Sequence, residues 1–259
     1  MHILREIYQR NTILANLGTI HLLLFILLAI AMPFNSVEVL GLNSLIKPIK
    51  FALSIWIYSW TMAYLLAYLA DKKQVLTYSW VVVIAMSFEQ TAIIIQALRG
   101  EKSHFNNTST FGIVLYALMG VFILSLTIWT LHISIQYFKQ KSFNIAAPYL
   151  LGIRFGLVYF TLFSFFGAYI SQQAGHTVGA VDGTEGIVFL NWSKLFGDLR
   201  IAHFFGIHAL QIIPLFAYLT TKLVAEKLAI QIVWVFAILY FIFVNFTMLQ
   251  ALAGIPFWK

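Results

Sequence analysis

Residues 230–254, IQIVWVFAILYFIFVNFTMLQALAG, carry no acidic or basic side chain, and their polar groups are limited to a few amides and hydroxyls. At about 1.5 Å per residue such a helix crosses a hydrocarbon core of roughly 30 Å. Similar runs recur along the chain. They predict spans at about 13–34, 48–70, 75–99, 110–138, 146–171, 200–220 and 230–252. No ten-residue alternation of a barrel appears. The fold expected is therefore all-α: one polytopic membrane domain over residues 1–259 with seven transmembrane helices.

Composition agrees. Hydrophobic residues make up 61% of the 259 positions and charged residues 10%, with a mean hydropathy of +0.88, far from a water-soluble domain. The formal net charge is +7, yet no basic block is longer than two residues, so nucleic acid is not the expected partner. Membrane lipid and a small-molecule ligand are. The absence of cysteine excludes disulfides, thiolate metal sites and iron–sulfur clusters. The N-terminus MHILREIYQRNTI leads into a long apolar run rather than a short one with a cleavage site, and reads as a retained helix.

Charge placement favours N-inside, C-outside. Lysines on the inner side sit in plain polar turns such as ADKKQ and FKQKS. Those on the other side, with Lys259 at the end, belong to distinctive segments: LIKPIKF, QALRGEKSHFN and GDLRIAHF. The one long connection, 171–199, is polar and glycine-rich, and is read as an extracytoplasmic loop covering a site. IIIQALRG at 93–100 and TMLQALAG at 247–254 end the third and seventh spans alike. Counting back from their glutamines aligns Phe51 with Phe204. A 3+1+3 parallel repeat, two three-helix units joined by the fourth helix, follows.

Polar side chains that hydrocarbon penalises concentrate in a few places. Glu89 is the sole acid deep inside a span, and it shares a helix face with Gln96. Lys47, Lys50, Arg99, Lys102 and Arg200 form a basic rim suited to phosphate, carboxylate or lipid headgroups. Asp198, Arg200, His203, His208 and Gln211 crowd the start of the sixth span, and Asn245 lies two turns inside the seventh. These are the expected ligand-binding residues, with Glu89 and His208 as proton carriers. His104, His176, His203 and His208 approach the same side and form the candidate metal set, although HExxH and comparable spacings are absent. His21 and His132 are the pair that would hold haem b. There is no GxSxG, no Walker A loop and no lysine midway along the last helix.

IKPIKFALS, QALRGEKSHFN, GHTVGAVDG and GDLRIAHFFGIHALQ together resemble the motifs of an uncharacterised family of bacterial seven-helix integral membrane proteins, over about residues 46 to 250. The resemblance implies a bacterial inner-membrane location and this fold, and no activity. Three classes of function remain, of which a sensory or purely structural subunit of a larger complex has no residue to mark it. One is binding or transport of an anionic or amphiphilic small molecule in an extracytoplasmic cleft, coupled to a proton. Another is a membrane oxidoreductase or hydrolase whose clustered histidines use a metal ion or haem b.

Overall fold

The computed structural model describes residues 2–173, 175–183 and 186–258; Lys259 and the loop residues Thr184 and Glu185 lie outside them. An amphipathic helix α1 (His2–Arg10) precedes α2 (Thr12–Ala31), which ends in a single 3-10 turn at Met32–Phe34. A hairpin of β1 (Glu38–Val39) and β2 (Leu42–Asn43) leads into α3 (Ile46–Leu66), α4 (Lys72–Leu98) and α5 (Thr110–Lys139). Then come α6 (Ala147–Ser171), a second strand pair of β3 (Thr177–Val178) and β4 (Gly197–Asp198), α7 (Leu199–Leu223) and α8 (Glu226–Leu252). Seven of these helices, all but α1, are long and apolar enough to cross a membrane. The protein is a multi-pass, all-α membrane protein. The chain divides into two compact units, Met1–Trp129 and Thr130–Lys259, with the boundary inside α5.

Each unit closes three helices with the same devices. In the first, α2, α3 and α4 pack together; in the second, α6, α7 and α8 do. The strand pair joins the first two helices, and its last residue bonds the backbone two residues on. Asn43 Oδ1 accepts from Leu45 N at 3.0 Å in the turn before α3, and Asp198 Oδ1 accepts from Arg200 N at 3.0 Å, where it caps α7 and satisfies one of the open donors at the helix start. Just outside the strands, Ser44 N donates to Val37 O at 3.0 Å and Leu199 N to His176 O at 3.1 Å. The third helix of each unit ends in a left-handed glycine, Gly100 (φ +68°) or Gly254 (φ +73°).

The QAL-x-G repeat is thus a structural repeat. Gln96 Nε2 donates to Lys102 O at 3.3 Å and Gln250 Nε2 to Pro256 O at 2.8 Å, the same step of six residues. Backbone bonds follow suit, Glu101 N to Gln96 O and Ile255 N to Gln250 O. The strand registers match Asn43 with Asp198, while the helix starts Ile46 and Leu199 match Phe51 with Phe204 as the glutamine count does. The long loop contains β3 and β4.

Small residues set the helix packing. A β-carbon on Gly152 would stand 2.4 Å from Ala217 Cβ, and one on Gly156 3.1 Å from the Pro214 ring and from Ala209 O. This Gly-x-x-x-Gly face lets α6 approach α7 where Pro214 sits inside the latter. In the first unit Gly18 makes room for Trp60, whose Nε1 donates to Ala15 O at 3.2 Å. Gly156→Leu is therefore expected to destabilise the protein by about 1–3 kcal/mol, read as an earlier thermal unfolding transition in detergent. Gly120→Ala, where a β-carbon meets nothing within 4 Å, is expected to leave that transition in place.

Candidate functional site

The expected site residues divide between the units. Lys47, Lys50, Glu89, Gln96, Arg99 and His104 belong to the first; His176, Asp198, Arg200, His203, His208, Gln211 and Asn245 belong to the second.

In the first unit Glu89 sits on α4 with 1% of its surface exposed, and its Oε1 has no hydrogen-bond partner. The neighbouring Gln90 is turned by its amide: Nε2 donates to Pro48 O at 3.2 Å, which leaves Oε1 buried and unpartnered. A carbonyl can only accept, so this orientation of the amide is determined. The bond also places Glu89 level with the first turn of α3, and α4 runs on about two turns beyond it. Lys47, on that first turn, is the cation whose charge reaches Glu89. Its Nζ lies 6.0 Å from the centre of the Phe51 ring, and the His104 ring lies 6.1 Å from Phe51 and 5.5 Å from Tyr116. Phe51 and Phe88 also pack on the cluster of Ala92, Ile93 and Met119. An amine, an imidazole and a phenol thus gather around aromatic rings of α3, α5 and the 99–109 loop, with the buried acid on α4 within electrostatic reach of the amine.

Arg99 is engaged elsewhere. Its Nη2 donates to Glu101 Oε1 at 2.8 Å, and its guanidinium lies 4.7 Å from the Phe111 ring centre. Glu101 Oε2 accepts from Asn106 Nδ2 at 3.0 Å. Hydrogen bonds from Asn106 and then Arg99 hold the Glu101 carboxyl below its ordinary range. Glu101, Asn106 and Gln90 went unnoticed in the sequence. Their roles depend on loop geometry and on which helix faces α4.

In the second unit Asp198 is fully buried. Its Oδ1 accepts from Arg200 N and Nε, and its Oδ2 from Ser193 N at 2.8 Å and Arg200 Nη2 at 2.6 Å. Arg200 Nη2 also donates to Asn191 O. This arginine therefore braces the long loop against the start of α7, a role the basic-rim reading had not given it. His176 Nδ1 lies 2.7 Å from Asp182 Oδ2, and Asp182 Oδ1 accepts from the backbone of His176 and Thr177. Burial alone would raise the Asp182 carboxyl; the bonds and charge of His176, with the two backbone donors, overcome it and hold the group well below its usual range. Asp182 carried no signal in the sequence beyond its place in a turn-rich stretch.

His203 Nδ1 donates to Phe163 O at 2.8 Å, fitting where Gly167 lacks a β-carbon that would stand 2.6 Å from the ring. His208 Nδ1 is 3.2 Å from Gln211 Oε1, and its ring lies 4.3 Å from that of Phe204. Each of these Nδ1 atoms is engaged with a different protein group. Among the described residues no three His, Asp or Glu side chains are placed to hold a metal ion, and His104 belongs to the other unit. His21 and His132 make bonds on their own helices, to Leu17 O and Gln136. Asn245 does likewise, donating to Phe241 O at 2.8 Å.

Comparison of the units sorts the polar residues. Counting from Gln96 and Gln250, Glu89 and Gln90 stand where the second unit has Phe243 and Val244. Counting from Asn43 and Asp198, His203 and His208 stand where the first has Pro48 and Leu53. Gln96 is shared and serves as a brace; Glu89 is not shared, and the scaffold closes without it. Comparison with family models, curated proteins and solved structures found no match for this chain.

Asp182 offers a pH test. A carboxyl depressed by folding adds stability above its unfolded value of about 4, and loses it only as the pH falls further, through the folded value. Hydrogen exchange at the His176 and Thr177 amides, corrected for intrinsic rates, is expected to stay slow from pH 7 to about pH 4. Asp182→Asn should accelerate it throughout, and equal protection in the two proteins would contradict the clamp.

Proposed function

We propose that this protein is a multi-pass protein of the bacterial inner membrane, oriented N-inside and C-outside, that binds or transports an amphiphilic small molecule. Glu89 takes up and releases a proton as the ligand comes and goes. The observation that carries this reading is the Glu89 carboxyl itself: buried within a span, with an oxygen lacking a partner, at a position where the matching helix holds Phe243. A buried acceptor without a donor costs about 1–3 kcal/mol, and a scaffold that accepts phenylalanine there has no architectural need to bear that cost. Intramembrane acids of this kind serve protons and ligands.

The surroundings support the ligand class. Arg99 and Arg200, which favoured a plain anion, are engaged by Glu101, Asp198 and Asn191. The cation that influences Glu89 is instead one amine, Lys47, which lies near Phe51, itself in contact with His104 and through it Tyr116. That combination suits a molecule with a polar group able to meet both charges and an apolar body to lie on the rings. The metal or haem reading has no comparable support, because among the described residues no three His, Asp or Glu side chains are placed to hold one ion.

Two substitutions test the proposal. Glu89→Leu is expected to leave thermal stability within about 1 kcal/mol of the parent or to raise it, since replacing a poorly satisfied buried polar group by an apolar one is near neutral. Glu89→Gln is expected to abolish the pH dependence of thermal stabilisation by a panel of short-chain anionic, zwitterionic and cationic amphiphiles. An unchanged pH dependence in Glu89→Gln would remove Glu89 from the mechanism.

A further inference from the structure

The two strand pairs are the same device with different tips. In the first unit Leu40 and Gly41, both with positive φ (54° and 72°), join β1 to β2, as a tight two-residue hairpin turn requires. In the second unit residues 179–196 stand in their place between β3 and β4. The pairing of the strands, the bond from the last strand residue to the backbone two residues on, and the seat of the glycine are all reproduced in the first unit without them. Joining the strands therefore does not explain this segment, and long ordered loops of this kind carry function.

The segment is firmly built. Ile187 N donates to Trp192 O at 2.9 Å and Asn191 N to Ile187 O at 2.7 Å, closing a turn above the Gly186–Ser193 bridge. Phe189 and Asn191 hold left-handed backbone conformations (φ +68° and +58°) that residues with a β-carbon rarely adopt. Arg200 holds Asn191 O, Asp198 holds Ser193 N, and Trp192 is buried against Phe204, Phe205 and Trp258. All of this polar and aromatic anchoring points toward α7. Outward, the segment presents aliphatic side chains: Val181 is 84% exposed, Val188 88% and Leu195 60%.

We propose that this insertion is an interfacial foot, whose outward aliphatic side chains partition into the lipid headgroup region at the membrane face where α6 ends and α7 begins. Its two roots, Ser171 and Leu199, are ends of membrane spans, which keeps the segment at the level of the interface. Trp192, Trp258 and Phe257 gather beside it, and such rings favour that level. Asp182 is tied to His176, and the exposed Lys194 stands beside Leu195; aliphatic side chains mixed with a lysine that can reach the headgroups suit an interface. The foot is joined to the start of α7 by Arg200, which bonds both the turn and the helix cap. This inference does not depend on Glu89.

Site-directed spin labelling tests it, and the chain has no native cysteine. Single cysteines at Val188 and Leu195 are labelled with a nitroxide in the full protein, reconstituted alone in phospholipid vesicles. Leu239, exposed on α8, and Lys73, exposed in the first turn of α4, serve as lipid and water references. Labels at 188 and 195 are expected to collide with oxygen in preference to a water-soluble nickel chelate, with a ratio several-fold above that at 73 and approaching that at 239. A ratio equal to that at 73 overturns the proposal, and is the outcome a protein-docking surface would produce. Labels shielded from both reagents would mean that the segment packs on the protein, and would overturn it equally.

Discussion

The seating of a left-handed glycine on a short strand pair is the contact on which each unit depends. A β-carbon on Gly100 would stand 3.4 Å from Val37 Cγ1 and 4.0 Å from Glu38 O; one on Gly254 would stand 3.6 Å from Val178 O. At that point the third helix must stop, its last carbonyls must find donors, and the connection between the first two helices must pass close by. Glycine allows the reversal, and the Gln96 or Gln250 side chain carries the next bond to the following chain. Where hydrocarbon offers no water to satisfy a backbone, the end of a span is the demanding part of the fold. Both units solve it in the same way.

Repetition of that solution separates two kinds of polar residue. Asn43 and Asp198, like Gln96 and Gln250, occupy matching places and make matching bonds. They belong to the scaffold. Glu89 and Gln90 have apolar counterparts in the second unit, Phe243 and Val244. Each unit also has a polar set of its own. In the first unit that set surrounds a carboxyl short of partners. In the second it braces a long ordered loop and gives each of three imidazoles its own acceptor.

Charge is handled differently in the two sets. Around Asp198 both carboxylate oxygens accept from Arg200, and Oδ2 also from Ser193, so the buried pair holds the helix start rigidly. Around Glu89 the bonding is incomplete, since Oε1 has no hydrogen-bond partner. A fully bonded carboxylate stabilises one structure. An incompletely bonded one changes its interactions when a proton or a ligand arrives, which is the physical reason for placing function at Glu89 and architecture at Asp198.

The number, type and approximate limits of the spans were determined by the sequence alone, because apolar length sufficient for a bilayer is a local property of the chain. The QAL-x-G repeat was legible for a similar reason: a helix end is specified by a few adjacent residues. Glu89 stood out because an acid in an apolar run is conspicuous wherever it points. Only the tertiary structure showed that Gln96 is a brace, that Arg200 is tied to Asp198 and Asn191, that Gln90 turns toward Pro48, and that Asp182 clamps His176. Each of these depends on which groups from distant parts of the chain come within about 3 Å. Hydropathy carries no information at that scale, since a side chain's type states what it can bond and the fold alone decides what it meets.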